Sequence, residues 1–191
     1  MHFALNDEQA AIQETALAFA RERIAPGAAE WDEKGIFPVD VIRETAALGM
    51  AAIYVDAEKG GSGLSRLDGA WMLGKYGTPD QIAAWMPKLA SMDWLASYCL
   101  TEPGAGSDAA ALRATARRDG DGYVLNGTKQ IASGAGATDF YFLFARTGGE
   151  GASGISAFVV MKDTPGLSFG PNERKMGWNA QPTRQVILDN C

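Results

Sequence analysis

Through the first hundred residues the apolar side chains fall at helical spacing, three or four positions apart, with polar residues between them. Asn6 with Gln9 three positions on is a capping-box pattern, and Ile12, Ala16, Phe19 and Ile24 follow it on a helix predicted to stop at Pro26-Gly27. Pro38 opens a second helix, in which Val39, Ile42 and Ala46 share a face and Gly49 stands where a left-handed C-terminal cap is wanted. Thr78-Pro79-Asp80-Gln81 starts a third with an N-cap hydroxyl, an N1 proline and a Gln at N3. Its stripe of Ile82, Trp85, Met86 and Leu89 reads as core packing, with Pro87 expected to disturb the helix.

From about Tyr98 the pattern changes. Asp119-Gly120-Asp121-Gly122 and Asn126-Gly127 are turn signals on either side of Tyr123-Val124-Leu125, which predicts a hairpin or meander. Residues 139–146 (DFYFLFAR) and 155–162 (ISAFVVMK) are short aromatic and β-branched runs between Gly-rich loops, apolar enough to be strands buried on both faces. Residues 183–189 predict one more strand, cut off in mid-course at Cys191. Helices first and strands afterwards mean an α+β chain rather than alternating βαβ units. A dinucleotide-type glycine fingerprint needs a strand before it and a helix after it, so Gly60-Gly61-Ser62-Gly63 reads as loop structure and any nucleotide must be held by other means.

Composition narrows the functional classes. With 191 residues, 47% hydrophobic and 21% charged, the chain is of ordinary globular make-up. A net charge of -6 gives no basic stripe for a polyanion, which argues against a nucleic-acid partner. Two cysteines, Cys99 and Cys191, and one histidine, His2, form neither a disulfide framework nor a metal-ligand cluster. The first eight residues lack the basic and apolar regions of a secretory signal, and no apolar run approaches a membrane span, so a cytosolic or organelle-matrix location is expected.

The stretch Tyr98-Cys99-Leu100-Thr101-Glu102-Pro103-Gly104-Ala105-Gly106-Ser107-Asp108 lies at the junction of the two halves. Pro103 keeps Glu102 extended, and the glycines let the backbone approach a ligand with its N–H groups exposed, as an anion cradle requires. Ser107 could add a hydroxyl to a phosphate or pantetheine group, and Thr101 could meet the polar edge of a ring system. Read alone, the same stretch also fits an ordinary interdomain loop.

Tyr98 to Asp108, followed by Asn126-Gly127-Thr128-Lys129 and Ser133-Gly134, resembles the paired flavin motifs of the acyl-CoA dehydrogenase family. The resemblance runs nearly the whole chain, through the N-terminal helix, Gly60-Gly61-Ser62-Gly63-Leu64, Tyr76-Gly77-Thr78 and Thr164-Pro165-Gly166-Leu167-Ser168. Within that family, Lys175-Met176-Gly177-Trp178-Asn179-Ala180-Gln181-Pro182-Thr183-Arg184 is most similar to the isobutyryl-CoA dehydrogenase branch. The resemblance implies a helical N-terminal domain over residues 1–97, a middle β-domain of barrel or sandwich type over 98–191, and FAD as cofactor. It places Tyr98, Cys99, Leu100 and Thr101 near the isoalloxazine, with Ile131, Ala132 and Ser133 closing the ring site from the second motif. Gly106 and Ser107 fall near the pyrophosphate or bound CoA, Ser107 serving the substrate side as well. The implied reaction is α,β-desaturation of a short, straight or branched acyl-CoA, with an electron-transfer flavoprotein as acceptor and a homo-oligomer at full length. An acyl-CoA oxidase on the same scaffold and a non-catalytic flavin- or CoA-binding fragment are the alternatives.

Three departures from the family pattern shape the expectations. Ile131 stands where the family usually places Trp or Phe against the flavin, so ring stacking should be weaker. Near residues 67–72 the chain lacks a helix and turn of roughly two dozen residues, too many for residues 69–74 to replace, so the helical domain should be loose or repacked. The C-terminal helical bundle that carries the family's carboxylate base is absent, so no catalytic residue is expected here, and Glu102 reads as structural.

Overall fold

The computed structural model describes residues 5–50 and 69–191; the Gly60-to-Leu64 motif and positions 67 and 68 lie outside the described residues. The described residues are α+β, five α-helices followed by seven strands, with no α-helix after the last strand.

Helix α1 (Asp7–Phe19) starts with the expected capping box: the Asn6 carboxamide accepts from the Gln9 amide at 2.8 Å and the Gln9 side chain returns the bond. The predicted stop at Pro26-Gly27 is not observed. The backbone widens into a π turn over Ala20–Ile24 and continues as α2 (Ala25–Lys34), ending at Gly35 with φ 63°. Pro26 falls in the first turn of α2, where its fixed φ suits a helix, and the wider turn before it makes room for the ring that a regular helix would exclude. Helix α3 (Val39–Ala47) is followed by Gly49 at φ 72°, the expected left-handed cap position. Helices α1 to α3 bury no described side chain; Ile12, Leu17, Ile24, Ile36 and Leu48 are all exposed on or beside them.

Helix α4 (Gly69–Tyr76) and α5 (Pro79–Ala90) behave differently. Thr78 caps α5 through both bonds of a second capping box, and Pro87 sits inside the helix without ending it. Their apolar stripes meet the sheet: Leu73, Met86 and Leu89 pack with Phe140 and Phe142, flanked by Ile82, Trp85 and Trp94. Each of these fully buried side chains contributes about 1.5–3 kcal/mol of hydrophobic stabilisation. The helical layer is therefore held by α4 and α5, while α1 to α3 lie outside the core.

The strands form one curled mixed sheet in the order β1-β4-β2-β3-β7-β6, with β5 on the other edge of β4. They are β1 (Ala96–Cys99), β2 (Thr115–Asp119), β3 (Gly122–Ser133), β4 (Phe140–Arg146), β5 (Ile155–Met161), β6 (Leu167–Phe169) and β7 (Thr183–Leu188). Strands β1 and β2 lie end to end along β4, both parallel to it, so the segment between them leaves the sheet and returns within one edge. Strand β4 is buried on both faces as its sequence predicts: Tyr141, Leu143 and Ala145 turn into the curl, Phe140 and Phe142 toward the helices. The same expectation fails for β5, which is only half-buried because it has one neighbour. Asn126-Gly127 is not a turn either, because β3 runs straight through it. Gly127, at φ 143°, is where β3 stops pairing with β2 and starts pairing with β7, and a Cβ there would stand 2.7 Å from the Ala114 Cβ. Strands β1 and β6, too short for a periodic signal, were not expected from the sequence. Beyond β7, Asn190 takes φ 49° and Cys191 exchanges a pair of backbone hydrogen bonds with Leu125, continuing the ladder past Leu188.

Candidate cofactor-binding site

The segment between β1 and β2 is folded by its own polar groups. Glu102 and Ala105 bond each other's backbones at 3.0 and 3.1 Å, closing a turn with Pro103 at its first corner and Gly104 at its second. The Glu102 carboxylate then reaches back, accepting from the amides of Arg113 at 2.6 Å and Ala114 at 2.9 Å, and so ties the start of the segment to its end. Lys129, with no exposed surface, donates to the same carboxylate at 2.7 Å and to the Leu100 carbonyl at 3.3 Å. Next along β3, the Gln130 amide donates to the Thr101 carbonyl at 2.8 Å.

Burial alone would raise the Glu102 pKa, but the Lys129 ammonium and the two amides outweigh it and hold the carboxyl below its ordinary range. Burial pulls the Lys129 ammonium below its usual value against the opposing pull of Glu102. Glu102 is therefore ionised and accepts three hydrogen bonds, one from Lys129 and two from backbone amides.

On the sheet face turned away from the inner core, the segment meets a kink in β3. Ile131 has φ 57°, unusual for a β-branched residue, and is 61% exposed. Ser133 is exposed two positions on, and the Ser97 hydroxyl fixes its carbonyl at 2.6 Å. Tyr98, half-exposed, leans on Phe144 with ring centroids 5.2 Å apart. Leu100 and Thr101 are partly buried and Gly106 and Ser107 exposed. The side chains of Cys99 and Ala132 point the other way, into the core with no exposed surface, so of these two only the backbone can face a ligand. Burial pushes the Cys99 thiol up to about 12, which leaves it an unreactive core residue. The hydroxyls of Thr101, Ser107 and Ser133 make no hydrogen bond among the described residues.

The sequence pointed to Glu102 but not to its partners. The missed signal is a lysine on the inward parity of an alternating strand, four positions after the buried Leu125. Behind the turn, Glu102, Pro103, Gly104, Arg113, Ala114, Gly127 and Thr128 line a half-open cleft of about 380 Å³ that sequence reasoning also missed. Among the described residues there is no group of three His, Cys, Asp or Glu placed to hold a metal, and no helix long and apolar enough to cross a membrane.

Comparison with known proteins decides the family. The sequence model of the acyl-CoA dehydrogenase middle domain matches residues 97–191, and that of the N-terminal domain matches residues 6–73. The chain belongs to the acyl-CoA dehydrogenase family. Mitochondrial isobutyryl-CoA dehydrogenase of Bos taurus is 45% identical over 211 aligned positions, which take in 98% of this chain and 51% of the bovine protein. The acyl-CoA dehydrogenase relatives are longer: the chain spans about half the length of the curated relatives it matches. Among solved structures, butyryl-CoA dehydrogenase from Megasphaera elsdenii superposes with a TM-score of 0.90 at 30% identity, covering 100% of this chain and 57% of that one. A glutaryl-CoA dehydrogenase from Mycobacterium smegmatis in complex with FADH2 gives 0.89 at 27% identity, covering 97% and 53%.

Proposed function

We propose that this chain forms the flavin-holding part of an FAD-dependent acyl-CoA dehydrogenase acting on a short, straight or branched acyl thioester. The observation that carries this reading is the pairing, on one sheet face, of an exposed apolar platform with unengaged hydroxyls and an unfilled glycine turn. Neither Gly104 nor Gly106 has a positive φ, and a Cβ on either would meet no atom within 4 Å, so the fold itself does not require glycine at these positions. Space left beside a rigid turn fits a ligand that the backbone must approach closely, as a pyrophosphate does. The residues present therefore fit FAD.

In this reading Tyr98, Leu100 and Ile131 pack on the isoalloxazine, Thr101 and Ser133 donate hydrogen bonds to its polar edge, and Gly106 and Ser107 take the pyrophosphate, Ser107 serving bound CoA as well. Bound FAD would supply a hydride acceptor for the β-hydrogen of the acyl chain, the α-proton passing to a base, as desaturation to a 2,3-enoyl thioester requires. Glu102 is committed to Lys129 and two amides, so we assign no catalytic residue within these residues. The domain division at residues 97 and 98, an electron-transfer flavoprotein as acceptor, homo-oligomeric assembly and a cytosolic or mitochondrial-matrix location belong to the same proposal. The mitochondrial bovine relative supports the matrix.

A second reading, a flavin- or CoA-binding module without turnover, is favoured by the engagement of Glu102. Titrating the purified chain with FAD and following flavin fluorescence tests the first step, with saturable quenching expected. Joining the chain to the C-terminal half of the bovine relative and adding isobutyryl-CoA without oxygen tests the second, with loss of flavin colour expected. Uptake without bleaching would favour the module; no uptake in either form would sink both readings.

A further inference from the structure

We infer that the buried Glu102–Lys129 pair is a register lock: it fixes the bulge of β3 that turns Ile131 and Ser133 outward, and it holds residues 100–108 against that bulge. The cofactor consequence of this inference rests on the flavin reading above; the register consequence does not.

Strand β3 begins with Leu125 and Lys129 turned inward, 5% and 0% exposed. Continued alternation would carry Ile131 into the core as well. Instead, Lys129 pairs with Val186 and Ala132 with Arg184, so β3 spends three residues where β7 spends two. The extra residue switches the parity: Ala132 becomes the inward side chain, and Ile131 and Ser133 turn out to the candidate cofactor face. The change occurs immediately after Lys129.

The attraction between the two charges is not in itself a large gain, because buried charges lose in desolvation much of what they gain in pairing, and apolar neighbours could fill the same space. Apolar contacts are, however, tolerant of sliding. A one-residue slip of β3 would swing the ammonium to the opposite face and leave the Glu102 carboxylate facing two amides with no counter-ion. The pair therefore penalises the slipped register specifically. It also couples four segments, since Lys129 holds Leu100 at the end of β1 while Glu102 holds Arg113 and Ala114 at the approach to β2. Both are positioning residues, acting through the bulge and the turn.

The test uses the double variant E102Q/K129M, because either single change leaves a buried charge or dipole unmatched and could prevent folding. Amide hydrogen exchange is read over residues 98–108 and 126–134, with residues 140–146 and 183–188 as internal controls, alongside thermal unfolding and FAD titration. Thermal stability should be kept, while exchange in the two test segments should rise by about tenfold or more and the controls stay unchanged. The FAD dissociation constant should rise by about tenfold or more, because the site is no longer pre-organised. Unchanged exchange in both test segments overturns the inference, and so does a rise shared equally by the controls, which would mark a pair that merely holds the fold. If the unaltered chain takes up no FAD, the cofactor reading falls while the exchange pattern still decides the register role.

Discussion

Asp32 on α2 accepts two hydrogen bonds from Asn179, one from its amide at 2.7 Å and one from its side chain at 3.3 Å, across 147 positions of sequence. Helix α2 buries nothing, so this contact and those of α3, where Arg43 donates to the carbonyls of Met92 and Asp93, join the outer helices to the rest of the chain. Among the described residues these joins are polar, and no side chain of α1 to α3 is fully buried. Asp32→Ala, which removes the acceptor of both bonds, should cost about 1–2 kcal/mol, the range for losing hydrogen bonds to a carboxylate that is still partly hydrated. Exchange in α2 should quicken while α5 stays protected; equal effects on both helices would contradict this division.

Gly127 and Gly104 make a contrasting pair. At Gly127 the positive φ and the backbone of Ala114, 2.8 Å from an added Cβ, leave a methyl group nowhere to go. Gly127→Ala should destabilise the fold by at least the roughly 1–3 kcal/mol of an overpacked core. Gly104→Ala should change thermal stability by no more than about 0.5 kcal/mol, since its surroundings are open, yet weaken FAD binding. Equal thermal losses in the two variants would refute the distinction.

What the sequence made legible follows from the range of each interaction. The capping boxes at Asn6 and Thr78 are complete within four residues, and both form as read. The loop around Pro103 and Gly104 was also readable, because proline and glycine restrict or free the backbone locally. Apart from the stop expected at Pro26-Gly27, the misreadings named here share one cause, a local signal overruled by a distant partner. Asn126-Gly127 looks like a turn until Ala114 explains why glycine is needed inside a strand. The burial of Lys129 has no local cause either, since it is Glu102, 27 positions away, that takes its charge. The four-residue β1 exists because β4 offers it an edge. Cys99 and Ala132 fall inside a motif whose neighbours face out, and only strand alternation and the β3 bulge reveal that they face in.

The Glu102 carboxyl gives the acid stability a direction. Its pKa in the folded chain lies below the ordinary 4.5, so its contribution is fully present above that value and is lost as pH falls through the lowered one. Thermal midpoints should be flat with respect to this group from neutral pH to about 5 and decline below it. Glu102→Gln should cost about 3–5 kcal/mol at neutral pH, the range for stranding one member of a buried pair, and should flatten the acid decline. A variant as stable as the parent at pH 7, or an acid decline of the same steepness, would show that the carboxylate is not the group responsible.

Ile131 tests whether a strained residue is kept for the ligand rather than for the fold. An L-residue in the left-handed region costs about 1–2 kcal/mol, and asparagine tolerates it far better because its short polar side chain bonds the local backbone. At 61% exposed, the isoleucine side chain recovers little of this by burial. Ile131→Asn should therefore stabilise the free chain by about 1 kcal/mol while removing the apolar platform and weakening FAD binding. Ile131→Phe keeps the strain and adds a π face, so it should leave thermal stability nearly unchanged and tighten FAD binding, an aromatic contact adding about 0.5–1.5 kcal/mol. Affinity thus departs from stability in both variants, falling as stability rises in Ile131→Asn and rising at constant stability in Ile131→Phe, and calorimetric unfolding together with FAD titration reads the two quantities. If affinity simply followed stability in both, Ile131 would be a feature of the fold and not of the cofactor face.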